Sequence, residues 1–124
     1  MNNEKDNVYD LVEDFYAHDE GWNTLLRQEY AEGFLRMEAW KGKKNSDLYR
    51  SWDNLTMLCL YLGSAETFLG DMNADDFIDC IAWCGRNISE FTPDYKNTQD
   101  FLETCDGLFK YLKGKNAISN DTVP

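Results

Sequence analysis

Residues 48–62, LYRSWDNLTMLCLYL, decide how this chain folds. Within them Leu48, Trp52, Leu55, Cys59 and Leu62 recur at i, i+4, i+7, i+11 and i+14. That rhythm gathers side chains onto one face of an α-helix and would scatter them over both faces of a strand. Just upstream, Asn45, Ser46 and Asp47 offer short side chains able to accept from the free amides of a first turn. Just downstream, Gly63 suits the left-handed residue that closes a helix. The stretch predicts a long helix capped within 45–47 and ended at Gly63.

The same rhythm extends in both directions. Val8, Leu11, Val12, Phe15 and Tyr16 predict a first helix over 7–18. Gly21 interrupts it, and a second helix follows with Trp22, Leu25, Leu26, Phe34, Leu35 and Met37 on its inner side, ending within 40–42. Beyond a connector at 64–70, Asn73 is expected to cap a fourth helix whose first turn holds Asp75 and Asp76, where carboxylates complement the helix dipole. Phe77, Ile78, Ile81 and Cys84 form its stripe, and Gly85 is expected to stop it. Thr92-Pro93 reads as a cap and first helical position, opening a fifth helix that carries Tyr95, Thr98, Leu102, Cys105, Leu108, Phe109 and Leu112 to Lys113-Gly114-Lys115. No segment alternates apolar and polar residues as a half-buried strand does. The expected fold is all-α: a compact bundle of about five short-to-medium helices without a sheet, as one domain over 1–115. Residues 116–124 are polar and read as a tail or a linker to a further domain.

At 124 residues the chain has the size of one domain, and 43% apolar and 15% aromatic residues supply a core for it. Twelve Lys and Arg against 23 Asp and Glu leave a formal charge of −11. A field of that sign repels phosphate backbones and anionic headgroups, so nucleic acid is disfavoured as a partner of the whole surface. Lys41, Lys43, Lys44 and Arg50 are the local exception, a basic stretch whose only acid is Asp47, and they are the candidate anion or nucleic-acid contacts. No apolar run approaches the roughly 18–20 residues of a membrane span, and residues 1–6 lack the basic start and apolar stretch of a secretion signal. A cytoplasmic location is therefore expected, with Cys59, Cys80, Cys84 and Cys105 as free thiols packed in the core.

Candidate chemistry is sparse. His18 has Asp14 at i−4, the spacing of an acid–base pair, but a histidine in a last helical turn more simply complements the C-terminal dipole. Cys80 and Cys84 share a helical face, yet a zinc site would need Cys59 and Cys105 from two other helices and lacks the short spacing within each ligand pair. Asp71, Asn73 and Asp75 imitate the first positions of a calcium loop, which then fails at Asp76, where Gly is required, and at Ala82, where Glu is required. Phosphate-loop, nucleophile-elbow and zinc-protease signatures are absent. Neither an enzyme, a metal nor a cofactor is expected.

Three stretches carry a resemblance. Tyr49, Leu55, Tyr61 and Leu62 form a Tyr…Leu…Tyr-Leu helix; residues 69–78 form a connector and helix start; residues 108–118, Leu-Phe-Lys-Tyr-Leu-Lys-Gly-Lys-Asn-Ala-Ile, form a helix end and turn. This layout over 46–123 resembles the core-binding, SAM-like helical domain that precedes the catalytic domain of tyrosine recombinases. The resemblance implies an orthogonal helix arrangement and a DNA-binding module, with Lys41, Lys43, Lys44 and Arg50 as phosphate contacts. The chain departs from that family in having no Arg-His-Arg-Tyr catalytic domain and an acidic rather than basic balance.

The leading expectation is a non-catalytic helical module that contacts another protein or another domain of the same chain. Four Trp, seven Tyr and seven Phe exceed what five short helices readily hide. Trp22, Trp40 and Trp83 are the candidate exposed aromatic contacts. A DNA-binding module of the recombinase kind is the alternative.

Overall fold

The computed structural model describes residues 7–18, 26–89, 91–115 and 117–118. Over them it forms five α-helices: α1 (Val8–His18), α2 (Gln28–Trp40), α3 (Asn45–Ala65), α4 (Ala74–Asn87) and α5 (Tyr95–Gly114). A single 3₁₀ turn, Leu69–Asp71, lies between α3 and α4. Among the described residues there is no strand, and no helix is long and apolar enough to cross a membrane.

α3 is the axis of the bundle, packed against α1, α2, α4 and α5, while α2 also packs on α1 and α5. The stripe Leu48, Trp52, Leu55, Cys59 and Leu62 is buried throughout, and Ser51, Asn54, Met57, Leu58 and Tyr61 are buried with it. A helix with neighbours on several sides needs that wider inward arc, whereas a surface helix needs one stripe. α1 supplies such a stripe with Val8, Val12 and Tyr16, leaving Leu11 in solvent. Its Tyr16 hydroxyl donates to the Leu26 carbonyl, tying α1 to the segment that leads into α2. Phe15 sets its ring edge-on to Trp52 at 5.4 Å between centroids.

Several expected boundaries move. α2 begins at Gln28, so the buried Leu26 precedes it, and the expected start with Trp22 and Leu25 lies outside the described residues. α3 is not capped by Asn45, Ser46 or Asp47: it begins at Asn45 with Lys44 as N-cap and no side-chain cap bond. Gly63 does not end it either. The helix runs on to Ala65, Glu66 takes the left-handed conformation at φ 54°, and the Thr67 amide closes onto the Leu62 carbonyl at 3.1 Å. The added turn precedes a connector that delivers Leu69 and Met72 into the core.

At α4 the Asn73 cap is a reciprocal box, with Asn73 Oδ1 accepting from the Asp76 amide at 3.0 Å and Asp76 Oδ2 accepting from the Asn73 amide at 2.9 Å. Of the residues that imitate a calcium loop, Asn73 is this cap, Asp75 lies in the first turn of α4 and Asp71 ends the 3₁₀ turn. Phe77, Cys80 and Cys84 face inward, and Ile78, expected in the stripe, is 62% exposed because consecutive helical residues stand roughly 100° apart. Gly85 does not stop the helix, which continues to Asn87. A Cβ there would lie 2.9 Å from Pro93 Cγ, so the missing side chain makes room for the proline ring. Pro93 thus packs on α4 instead of opening α5, whose N-cap is Asp94, accepting from the Asn97 amide at 2.8 Å. Past α5 the Ala117 amide bonds to the Leu112 carbonyl at 2.9 Å, and the partly buried Ile118 packs against the core. The rest of the predicted polar tail, 116 and 119–124, lies outside the described residues.

Substituting Asn73→Ala removes the side-chain half of the capping box, the acceptor for the Asp76 amide, and leaves the Asp76 carboxylate on the backbone amide of position 73. It should lower unfolding free energy by about 1 kcal/mol in a urea titration, with an unchanged slope.

Candidate functional site

Along α3, Arg50 has Asp53 and Asn54 at i+3 and i+4, with Met57 and Leu60 at three-residue steps beyond Asn54, which places them on one side of the helix. This side borders a cleft of about 510 Å³ between α3, the first turns of α5 and the connector that joins α4 to α5. Met57 and Leu60 meet Ile88 and Phe91 from the connector to make its apolar part. Arg50, Asp53, Asn54, Asn97 and Asp100 make its polar part.

Asn54 organises the polar side. It is 5% exposed, and its amide nitrogen donates to Thr104 Oγ1 at 2.9 Å and to Asp100 Oδ2 at 3.1 Å. Thr104 in turn donates to the Asp100 carbonyl at 3.1 Å, so α3 is stitched to α5 through one amide group. Asn54 Oδ1 accepts no bond among the described residues. A buried amide oxygen left in that state is costly and uncommon. Asp53, one position back, has no hydrogen bond or ion pair among the described residues, and burial raises its carboxyl above the usual carboxylate range. Arg50, one turn earlier, has none either. It also borders a shallower depression with Tyr95, Lys96, Gln99 and Glu103.

The four basic residues expected to act together are divided. Lys43 Nζ lies 2.7 Å from Glu38 Oε1 and 3.0 Å from Ser51 Oγ, and Ser51 donates to the same Glu38 oxygen at 3.1 Å. Its charge is met locally, across the α2–α3 corner. Lys41 and Lys44 are exposed, and neither they nor Lys43 borders the cleft that Arg50 borders. The three tryptophans also differ. Trp40, the last residue of α2, is 89% exposed. Trp83 is only half-buried, with its ring 6.0 Å from that of Tyr61, and Trp22 lies outside the described residues.

No family model, curated protein or solved structure matches the chain.

The remaining sequence candidates take structural places. Nδ1 of His18 donates to the Asp14 carbonyl at 3.0 Å, so the ring caps a backbone group of α1. Cys59, Cys80, Cys84 and Cys105 are all buried and unlinked, and no group of metal-ligating side chains occurs among the described residues. A hydrogen bond to Cys84, then burial, pushes the Cys80 thiol far above its ordinary value, and burial does the same to Cys105. Both are held neutral, and thiolate is the reactive form; the same hydrogen bond lowers the Cys84 thiol, which is kept from reagents by its burial.

Two outcomes are expected. A disulfide-exchange reagent should leave these four thiols unmodified in native buffer and titrate all of them in urea. For Asp53, the folded state keeps its proton to higher pH than the unfolded chain does, so the stability associated with this group falls as pH rises through the carboxyl range. Asp53→Asn should therefore raise the urea midpoint at neutral pH and leave it unchanged in acid, where the carboxyl is neutral in both states.

Proposed function

We propose that this chain is a non-catalytic helical module that contacts another protein, or another domain of its own chain, through the corner where α2 meets α3. Trp40 carries the reading. Its indole is 89% exposed, and covering a tryptophan removes more apolar surface from water than covering almost any other side chain. Tryptophan is also the residue most enriched where truncation costs binding most. Scattered surface apolar side chains need no explanation, but this one stands at a built corner. Lys41 and Lys44 flank it in solvent, Gly42 turns the chain at φ 103°, and Lys43 reaches back to Glu38 and Ser51. An exposed aromatic side chain followed in the chain by two exposed lysines fits an acidic partner surface with an apolar centre. A reducing, cytoplasmic setting agrees with four buried and unlinked thiols.

The alternative of DNA contact has less to draw on. Lys43 is engaged with Glu38, and Arg50 faces the α3–α5 cleft.

Trp40→Ala tests the proposal, because nothing in the core depends on the ring. The variant should keep the circular dichroism spectrum and urea midpoint of the parent. Affinity enrichment from the source cell, with the two proteins in parallel, should recover a partner with the parent that the variant loses. Measured against that purified partner, binding should weaken by about 30-fold or more, the size of a truncated interface anchor. Identical recovery and affinity for both proteins would overturn the reading.

A further inference from the structure

The α3–α5 cleft contains three polar groups whose bonding capacity is left unused among the described residues: the Arg50 guanidinium, the Asp53 carboxylate and Asn54 Oδ1. They rise from one side of α3 at i, i+3 and i+4, yet Arg50 and Asp53 form no ion pair with each other. Next to them along the helix come Met57 and Leu60, facing Ile88 and Phe91. Opposite charges, a buried acceptor and an apolar wall thus share one space.

We infer that this cleft binds a small zwitterion with an apolar arm, the chemistry of a free α-amino acid such as phenylalanine or leucine. Each part of such a molecule meets a group that is otherwise unmet. A carboxylate suits the paired donors of Arg50. An ammonium has three donors and no acceptor, and Asp53 and Asn54 Oδ1 are two acceptors in adjacent positions. The apolar side chain lies against Met57, Leu60, Ile88 and Phe91. A simple cation would leave Arg50 facing like charge, and a simple anion would face Asp53 and Asp100, so both are selected against by the same residues. A neutral apolar molecule would leave the buried Asn54 oxygen as poorly served as before. At about 510 Å³ the space is within the ordinary range for small-ligand sites. The raised carboxyl of Asp53 agrees with this: an ammonium alongside would favour the charge that burial now opposes. The site is separate from the Trp40 corner, and its occupation does not depend on a protein partner.

The test is a nuclear magnetic resonance titration of the whole chain with L-phenylalanine, L-phenylalaninamide, which lacks the carboxylate, and N-acetyl-L-phenylalanine, which lacks the ammonium. L-Phenylalanine should give saturable shifts at the Met57 and Ile88 methyls, the Phe91 backbone amide and the Asn54 side-chain amide. Each analogue should bind about tenfold more weakly or worse, the usual effect of losing a hydrogen bond to a charged group. Arg50→Gln should erase the difference between the amino acid and its amide, and Asp53→Asn the difference between the amino acid and its N-acetyl form. Neither side chain belongs to the core or has a partner among the described residues, so both variants are expected to fold, and the three ligands on the parent protein decide the matter without them. Absence of saturable shifts, shifts confined to residues outside the cleft, or an analogue that binds as tightly as the amino acid would each overturn the assignment.

Discussion

Everything in this structure depends on keeping water off α3. The helix satisfies its own backbone groups, but Leu48, Trp52, Leu55, Leu58, Cys59 and Leu62 can be dried only if other segments cover most of its circumference. At about 1.5–3 kcal/mol for each large side chain buried, that single helix supplies a major share of the drive to fold. The other helices need only one apolar stripe each, and each lays it on or beside the axis. Two polar residues of α3 caught in the covered arc, Ser51 and Asn54, are met by partners from different neighbours. Ser51 joins Glu38 and Lys43 on the α2 side, and Asn54 joins Asp100 and Thr104 on α5. These bonds help fix how α2 and α5 are placed beside the axis.

That dependence explains which features could be read from the chain. Helix number and type follow from apolar period, and period is strong in α1, α3, α4 and α5. Helix ends follow from local competition, which is weaker. Gly63 has the conformational freedom to end α3, but Leu69 and Met72 must be carried to the core, and Glu66 accepts the left-handed backbone three residues later. Thr92-Pro93 has the chemistry of a helix start. Asp94 offers a charged acceptor two residues on, while Pro93 is held against the gap left by Gly85, a contact between segments that local sequence does not encode.

The candidate site was legible only in fragments. Trp40 could be named only together with Trp22 and Trp83, from an excess of aromatic side chains over what five helices hide, and Lys41 and Lys44 only as part of a basic stretch with Lys43 and Arg50. Grouping Arg50 with them followed nearness in sequence. Helical geometry instead turns Arg50 toward α5, while Lys43 is drawn back to Glu38. The cleft itself left one faint trace, an asparagine in the midst of the apolar run of α3. Its meaning needs Asp100 and Thr104, residues some fifty positions away that only the packing of α5 brings alongside.

The α2–α3 corner has a thermodynamic consequence of its own. Both flanks of the Trp40 turn are already anchored: the Gly42 and Lys43 amides bond back to the Ala39 and Glu38 carbonyls, and the Lys43 ammonium is clasped by Glu38 and Ser51. The indole is therefore offered from backbone that has surrendered its freedom during folding, not at the moment of encounter. Only rotation about two side-chain bonds is left to be frozen, so a surface that covers the ring keeps most of the free energy gained from desolvating it.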